Sequence, residues 1–125
     1  MWLHADIASL ADIPRHYARV AGERVALMNA RRKESFRELD LASSRLANLI
    51  VEAGLAPGSV VAFFGKNSIE YFEAMFAASK AGCTLLPLNW RLSAAELVAV
   101  IEDAAPRLIL VDAEYRALMD KVHEL

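Results

Sequence analysis

Three short apolar runs, Val60–Phe64, Thr84–Leu88 and Leu108–Val111, alternate with stretches whose apolar residues recur at helical spacing, and this alternation constrains the chain most. Runs of four or five residues with no polar alternation suit strands covered on both faces, and such strands sit in parallel sheets joined by helices. The expected fold class is therefore α/β, a mostly parallel sheet with flanking helices reached through right-handed crossovers. Three strands make a small sheet whose outer edges present unpaired backbone groups. The unit is thus expected to be an incomplete part of a larger sheet.

Local signals fill in the rest. Asp12 is a candidate cap, with Pro14 in the first turn and Tyr17, Val20 and Ala21 as an apolar face. Val25–Met28 and residues 34–36 flank a polar stretch at 29–33, which predicts an early β-hairpin. Leu39, Ala42, Leu46, Leu49, Ile50 and Ala53 predict a helix over 37–53, and Gly54 is its left-handed stop. After the turn at Pro57, Gly58 and Ser59 comes the first strand. Asn67 and Ser68 then cap a helix striped by Ile69, Phe72 and Phe76, widened by Tyr71, Met75 and Ala78, and ended by Gly82. Ser93 with Glu96 forms a capping box before Leu97, Val98 and Ile101, and Pro106 closes that helix. Residues 113–125 predict a last helix without a clear stop.

Of 125 residues, 56% are apolar and 24% charged, which suits one folded unit and excludes a disordered tail. Fourteen basic against 16 acidic residues give a net charge of -2 with no cationic stripe, so nucleic acid is not an expected partner. Cys83 is the sole cysteine and nothing has paired ligand spacing, which favours a reducing cytoplasm over an oxidising compartment. His4, Asp6 and Asp12 break the N-terminal apolar residues, unlike a signal peptide, and no apolar run approaches the ~18 residues of a membrane span.

Candidate chemistry is sparse. Gly65, Lys66, Asn67 and Ser68 follow the first strand without a second glycine at phosphate-loop spacing, so helix capping and a solvated Lys66 are expected. Cys83 reads as small core filling, and His4, His16 and His123 as surface residues with no metal-site spacing. Glu70 with Glu73, and Glu102 with Asp103, read as solvated helix faces, and Arg31, Arg32 and Lys33 as an exposed turn. No catalytic residue and no metal ligand is assigned. The one candidate site residue is Arg91, because residues 87–92 lie just past the C-terminal end of a parallel strand, where open α/β sheets bind ligands. The competing reading has Arg91 pairing at the surface while Trp90 covers a helix end.

The order of these residues resembles a known family. Ser35, Phe36, Arg37, Glu38 and Leu39 are similar to the early motif of the adenylate-forming (AMP-binding) superfamily, and residues 80–89, Lys-Ala-Gly-Cys-Thr-Leu-Leu-Pro-Leu-Asn, to its second motif. Asn67, Arg91, Leu92, Ser93, Glu96 and Leu97 also follow the family's order, and residues 89–92 look more like an acyl-CoA synthetase or ligase than a peptide-synthetase domain. The resemblance implies that residues 1–125 are the N-terminal portion of an AMP-binding domain. The parent would be an enzyme that adenylates a carboxylic acid with ATP and Mg2+ and then joins it to CoA, as in fatty acid metabolism; fatty, aryl and short-chain acids all remain open. It places Arg91 near the CoA nucleotide. The family's phosphate loop and catalytic lysine lie downstream, so the segment alone is expected to be inactive and to bind none of these molecules tightly. Its partners would be the remainder of the ligase chain and the acid substrate. The alternative reading is a non-catalytic interaction module that forms a homo-oligomer through its exposed sheet edge.

Overall fold

The computed structural model describes residues 5–124, so His4 and Leu125 lie outside the described residues. The elements in order are α1 (Asp12–Ala21), β1 (Val25–Met28), β2 (Lys33–Ser35), α2 (Phe36–Glu52), β3 (Val60–Phe64), α3 (Ile69–Lys80), β4 (Thr84–Leu88), α4 (Ala94–Ala104), β5 (Leu108–Val111), a 3-10 turn (Ala113–Tyr115) and α5 (Arg116–Glu124). β1 and β2 form the antiparallel hairpin, and the other strands form a parallel sheet in the order β4-β3-β5. The α/β class, the parallel sheet and the hairpin are all as the sequence predicts.

β3 is the centre of the molecule because it is bonded on both sides. It pairs from Val60↔Thr84 to Phe64↔Leu88 with β4 and from Val61↔Leu108 to Phe64↔Val111 with β5. Its side chains alternate between two cores. Ala62 and Phe64 pack under α4 and α5 with Leu88, Leu97 and Val122, whereas Val61 packs under α2 and α3 with Ala47, Ile50 and Ala77. Each large buried side chain contributes about 1.5–3 kcal/mol through lost water contact. β4 and β5 depart from the expectation of two-sided burial. Every residue of β5 is only half-buried, and Thr84 and Pro87 of β4 are exposed. They are the edge strands, and the helices of this chain cover only the middle of the sheet. Pro87 suits an edge because it has no N–H to leave unpaired.

Helix boundaries follow their caps. β2 stops at Ser35 and Phe36 begins α2, where a strand residue was expected, because Ser35 Oγ accepts the Glu38 N–H at 3.2 Å while Glu38 Oε2 accepts the Ser35 N–H at 2.8 Å. Phe36 stacks on Tyr17 of α1 with ring centres 4.9 Å apart. The buried stripe of α2 is Leu39, Ser43, Ala47 and Ile50. Leu49 and Ala53, expected to face inward, point out, Leu49 being 60% exposed. Ser43 is tolerated inside because its hydroxyl donates to the Leu39 carbonyl at 2.7 Å. Asp12 is the first residue of α1 rather than its cap. Its carboxylate is held below the usual range by the Ser9 hydroxyl and by the backbone N–H groups of Ala8 and Ser9. The second capping box, Ser93 with Glu96, opens α4 as predicted. α4 ends at Ala105 in the left-handed region, φ 46°, just before Pro106.

Candidate functional site

The chain leaves β3 through α3 to β4 on one side, then returns through α4 to β5 on the other. The loops after β3 and β5 therefore diverge, and the C-terminal ends of the strands form the rim where such sheets bind ligands. At its base the seam is tight. A Cβ on Gly65 would lie 2.8 Å from Asp112 Cβ and 3.0 Å from a Phe63 ring carbon, so only glycine fits there. Asp112 donates its N–H to the Phe64 carbonyl at 2.9 Å and bonds the two loops together.

All three rim loops contribute to one cation–aromatic cluster. Lys66 after β3 reaches Glu114 Oε1 at 3.0 Å and lies 5.1 Å from the centre of Trp90 and 5.9 Å from that of Tyr115. Trp90 and Tyr115 are 6.1 Å apart, and Tyr115 rests 5.3 Å from the buried Phe64. The Arg91 guanidinium lies 4.7 Å from the Trp90 ring centre. Its loop is set by Asn89, whose Oδ1 accepts the Arg91 N–H at 3.0 Å and whose carbonyl accepts the Leu92 N–H at 3.1 Å. Arg91 is thus exposed at the rim, steered by an aromatic ring, and among the described residues no carboxylate pairs with it. Lys66 is not merely solvated: its hydrogen bond to Glu114, then that to Tyr115, raises its pKa and keeps it a cation. Lys66, Trp90, Glu114 and Tyr115 were missed as companions of Arg91. The available signal was that each follows the end of an apolar strand.

A second set of charges lies beside a cleft of about 930 Å³ floored by Phe63 and Leu110 and walled by Arg32, Glu70 and Glu73. Arg32 donates to Glu34 at 2.6 Å, to Glu70 at 3.0 Å and to Glu73 at 3.4 Å. Arg32 is therefore more than an exposed turn residue, and Glu70 and Glu73 are not simply a solvated face. Glu102 and Asp103 are exposed, as expected. His123 is also exposed, but His16 is buried and its Nδ1 sits 3.2 Å from Asp6, which corrects its surface placement. Cys83 is half-buried at the margin of the α2–α3 core rather than within it. Among the described residues no group of three His, Cys, Asp or Glu side chains is placed to hold a metal ion, and no helix is long and apolar enough to cross a membrane.

The two motif segments meet in space. Lys80, whose side chain is 5% exposed, donates to Asp40 Oδ1 at 2.6 Å, Ser44 Oγ at 2.8 Å and the Asp40 carbonyl at 3.0 Å. This ties the end of α3 to the residue that follows Leu39.

The sequence profile described as AMP-binding enzyme matches residues 14–125. A fatty acid–acyl-carrier-protein ligase of Streptomyces coeruleorubidus is 32% identical over 119 residues, covering 95% of this chain and 23% of that protein. A 3-hydroxybenzoate/4-hydroxybenzoate–CoA ligase of Thauera aromatica is 34% identical over 88% of this chain and 21% of its own length. A solved structure from Rhodopseudomonas palustris, described as a long-chain-fatty-acid CoA ligase, superimposes with a TM-score of 0.87 at 31% identity, over 96% of this chain and 30% of that one. The chain thus spans between a fifth and a third of the length of these relatives.

Proposed function

The chain belongs to the AMP-binding enzyme family, and from that premise we propose that it is the N-terminal part of an ATP-dependent acyl-CoA ligase. The observation that carries the reading is the family match over residues 14–125. The parent would join a carboxylate to the α-phosphate of ATP, releasing pyrophosphate, and then pass the acyl group to the CoA thiol with release of AMP. Magnesium offsets phosphate charge in such a step. This chain's own residues do not fit the ATP phosphates: the loop after β3 has one glycine, and the Lys66 ammonium is taken by Glu114. No adenylation step is assigned to them, and the segment by itself is expected to be inactive.

The donor chemistry at the rim does fit a nucleotide phosphate. Arg91 carries a planar set of donors on an exposed loop, and Trp90 supplies an aromatic face beside it. We assign Arg91 to the nucleotide of CoA, with Lys66 and Tyr115 holding Trp90 in place. The acyl-carrier-protein ligase among the relatives makes the acceptor a real choice, because a carrier protein offers the thiol arm without that nucleotide.

The test is steady-state kinetics on the ligase that contains this segment, with a panel of carboxylic acids. Arg91→Ala is expected to raise the KM for CoA about tenfold or more, as loss of a charge-assisted phosphate contact does. Acid-dependent pyrophosphate exchange should stay unchanged. An unaltered CoA requirement sinks the Arg91 assignment, and absence of acid-dependent exchange in the intact protein sinks the ligase reading. The second reading, a non-catalytic module, would use as its contact edge the half-buried β5, which among the described residues is bonded only to β3. Stable dimers of this chain in sedimentation, lost on placing lysine on β5, would support it.

A further inference from the structure

We infer that Glu34 and Glu73 share one proton at neutral pH, forming a proton-binding site that fastens the β1–β2 hairpin to α3 and releases it as the pH rises. Geometry carries the idea. Glu34 is on β2, opposite Leu27, and is only 3% exposed. Its Oε2 accepts from Arg32 Nη1 at 2.6 Å, but Oε1 is buried with no hydrogen-bond partner among the described residues. The other terminal nitrogen of Arg32 is already divided between Glu70 and Glu73 of α3. One guanidinium therefore serves three carboxylates.

Glu73 is held on the same guanidinium as Glu34, through Nη2 at 3.4 Å against Nη1 at 2.6 Å, and this brings the two carboxyl groups together. Two ionised carboxylates are both acceptors and repel each other, so they can bond only through a proton. A proton placed there satisfies the orphan oxygen and removes one of the three negative charges. The same balance sets the acidity of Glu34. Burial, and then the bond to Glu73, push it up to about 7, against the pull of Arg32. Other charges facing the cluster do not change this sign: Glu70 is held on Arg32 and at the start of α3, and Glu38 of α2 is occupied by the Ser35 N–H and hydroxyl. Because Arg32, Glu70 and Glu73 wall the cleft of about 930 Å³, loss of the proton also makes that wall more negative.

The linkage has a definite direction. Glu34 holds its proton more tightly in the folded chain than at the ordinary value of 4.5. Its contribution is complete below that value and is lost as the pH rises through about 7.

Carboxyl-carbon NMR of this chain from pH 4 to 9 tests the inference. The Glu34 resonance is expected to titrate near neutrality, with Glu73 reporting the same midpoint. Amide protection in the hairpin should fall about tenfold across that midpoint. Glu73→Gln supplies a permanent donor to Oε1, so it should lower the Glu34 midpoint by about one unit or more and move the fall in hairpin protection to the same lower pH. Glu34 titrating with ordinary carboxylates, Glu73 failing to report the Glu34 midpoint, or an unchanged midpoint in Glu73→Gln would each overturn the shared proton. If the variant does not fold, the two resonances of the unsubstituted chain decide the matter.

Discussion

Lys80 shows how a residue can be recognised in sequence while its physical work stays hidden. As a lysine before alanine and glycine it marks a motif; in space it is a nearly buried ammonium held by Asp40 and Ser44. Removing one member of a buried pair leaves the other charge uncompensated, and which member is removed matters. The Asp40 side chain is 27% exposed, whereas that of Lys80 is only 5% exposed. Asp40→Ala is therefore expected to cost about 3 kcal/mol in urea unfolding, and Lys80→Met distinctly less. Equal losses would mean that Lys80 reaches water in the folded chain. Arg91 was legible as a site candidate because it follows a strand end, but its companions come from loops some 25 residues apart in either direction, at Lys66 and Tyr115. Sequence spacing carries no signal for such convergence.

At the scale of elements, the capping boxes at Ser35 and Ser93 were readable because cap chemistry is local. In each, the serine N–H and hydroxyl lower the pKa of the glutamate, Glu38 or Glu96. Stability from these two boxes is present above the ordinary value of 4.5 and falls as the pH drops below it, opposite in sign to the contribution of Glu34. The end of α4 is different. Ala105 adopts φ 46°, which a Cβ disfavours by roughly 1–2 kcal/mol, whereas glycine does not suffer that clash. Ala105→Gly is expected to raise stability by about 0.5–1 kcal/mol after the added freedom of the unfolded chain is counted. A lower thermal midpoint for this variant would show that the Ala105 conformation is unstrained.

For the molecule as a whole, the sheet order makes β3 the only parallel strand bonded on both sides among the described residues. Hydrogen exchange should then be slowest at the amides of Val61–Phe64 and faster along β5, whose outer edge is unpaired among the described residues. Equal protection across the three strands would indicate that something covers β5 in solution. Phe64, fully buried between Leu88 and Tyr115, is expected to be the most costly single truncation, about 3–5 kcal/mol for Phe64→Ala.

The sequence by itself determined the α/β class, the parallel strands, the hairpin and both capping boxes, because each depends on local periodicity or on residues three or four apart. It also carried the family, through motifs read along the chain. Tertiary structure alone decided that β3 would be central and β4 and β5 half-covered, that His16 would be buried, and that Leu49 would face outward. It alone brought Lys66 and Arg91 to one tryptophan and set Glu34 against Glu73. Those outcomes depend on which surfaces meet after the helices cross the sheet. The long-range pairing that sets them leaves no periodic trace in the chain.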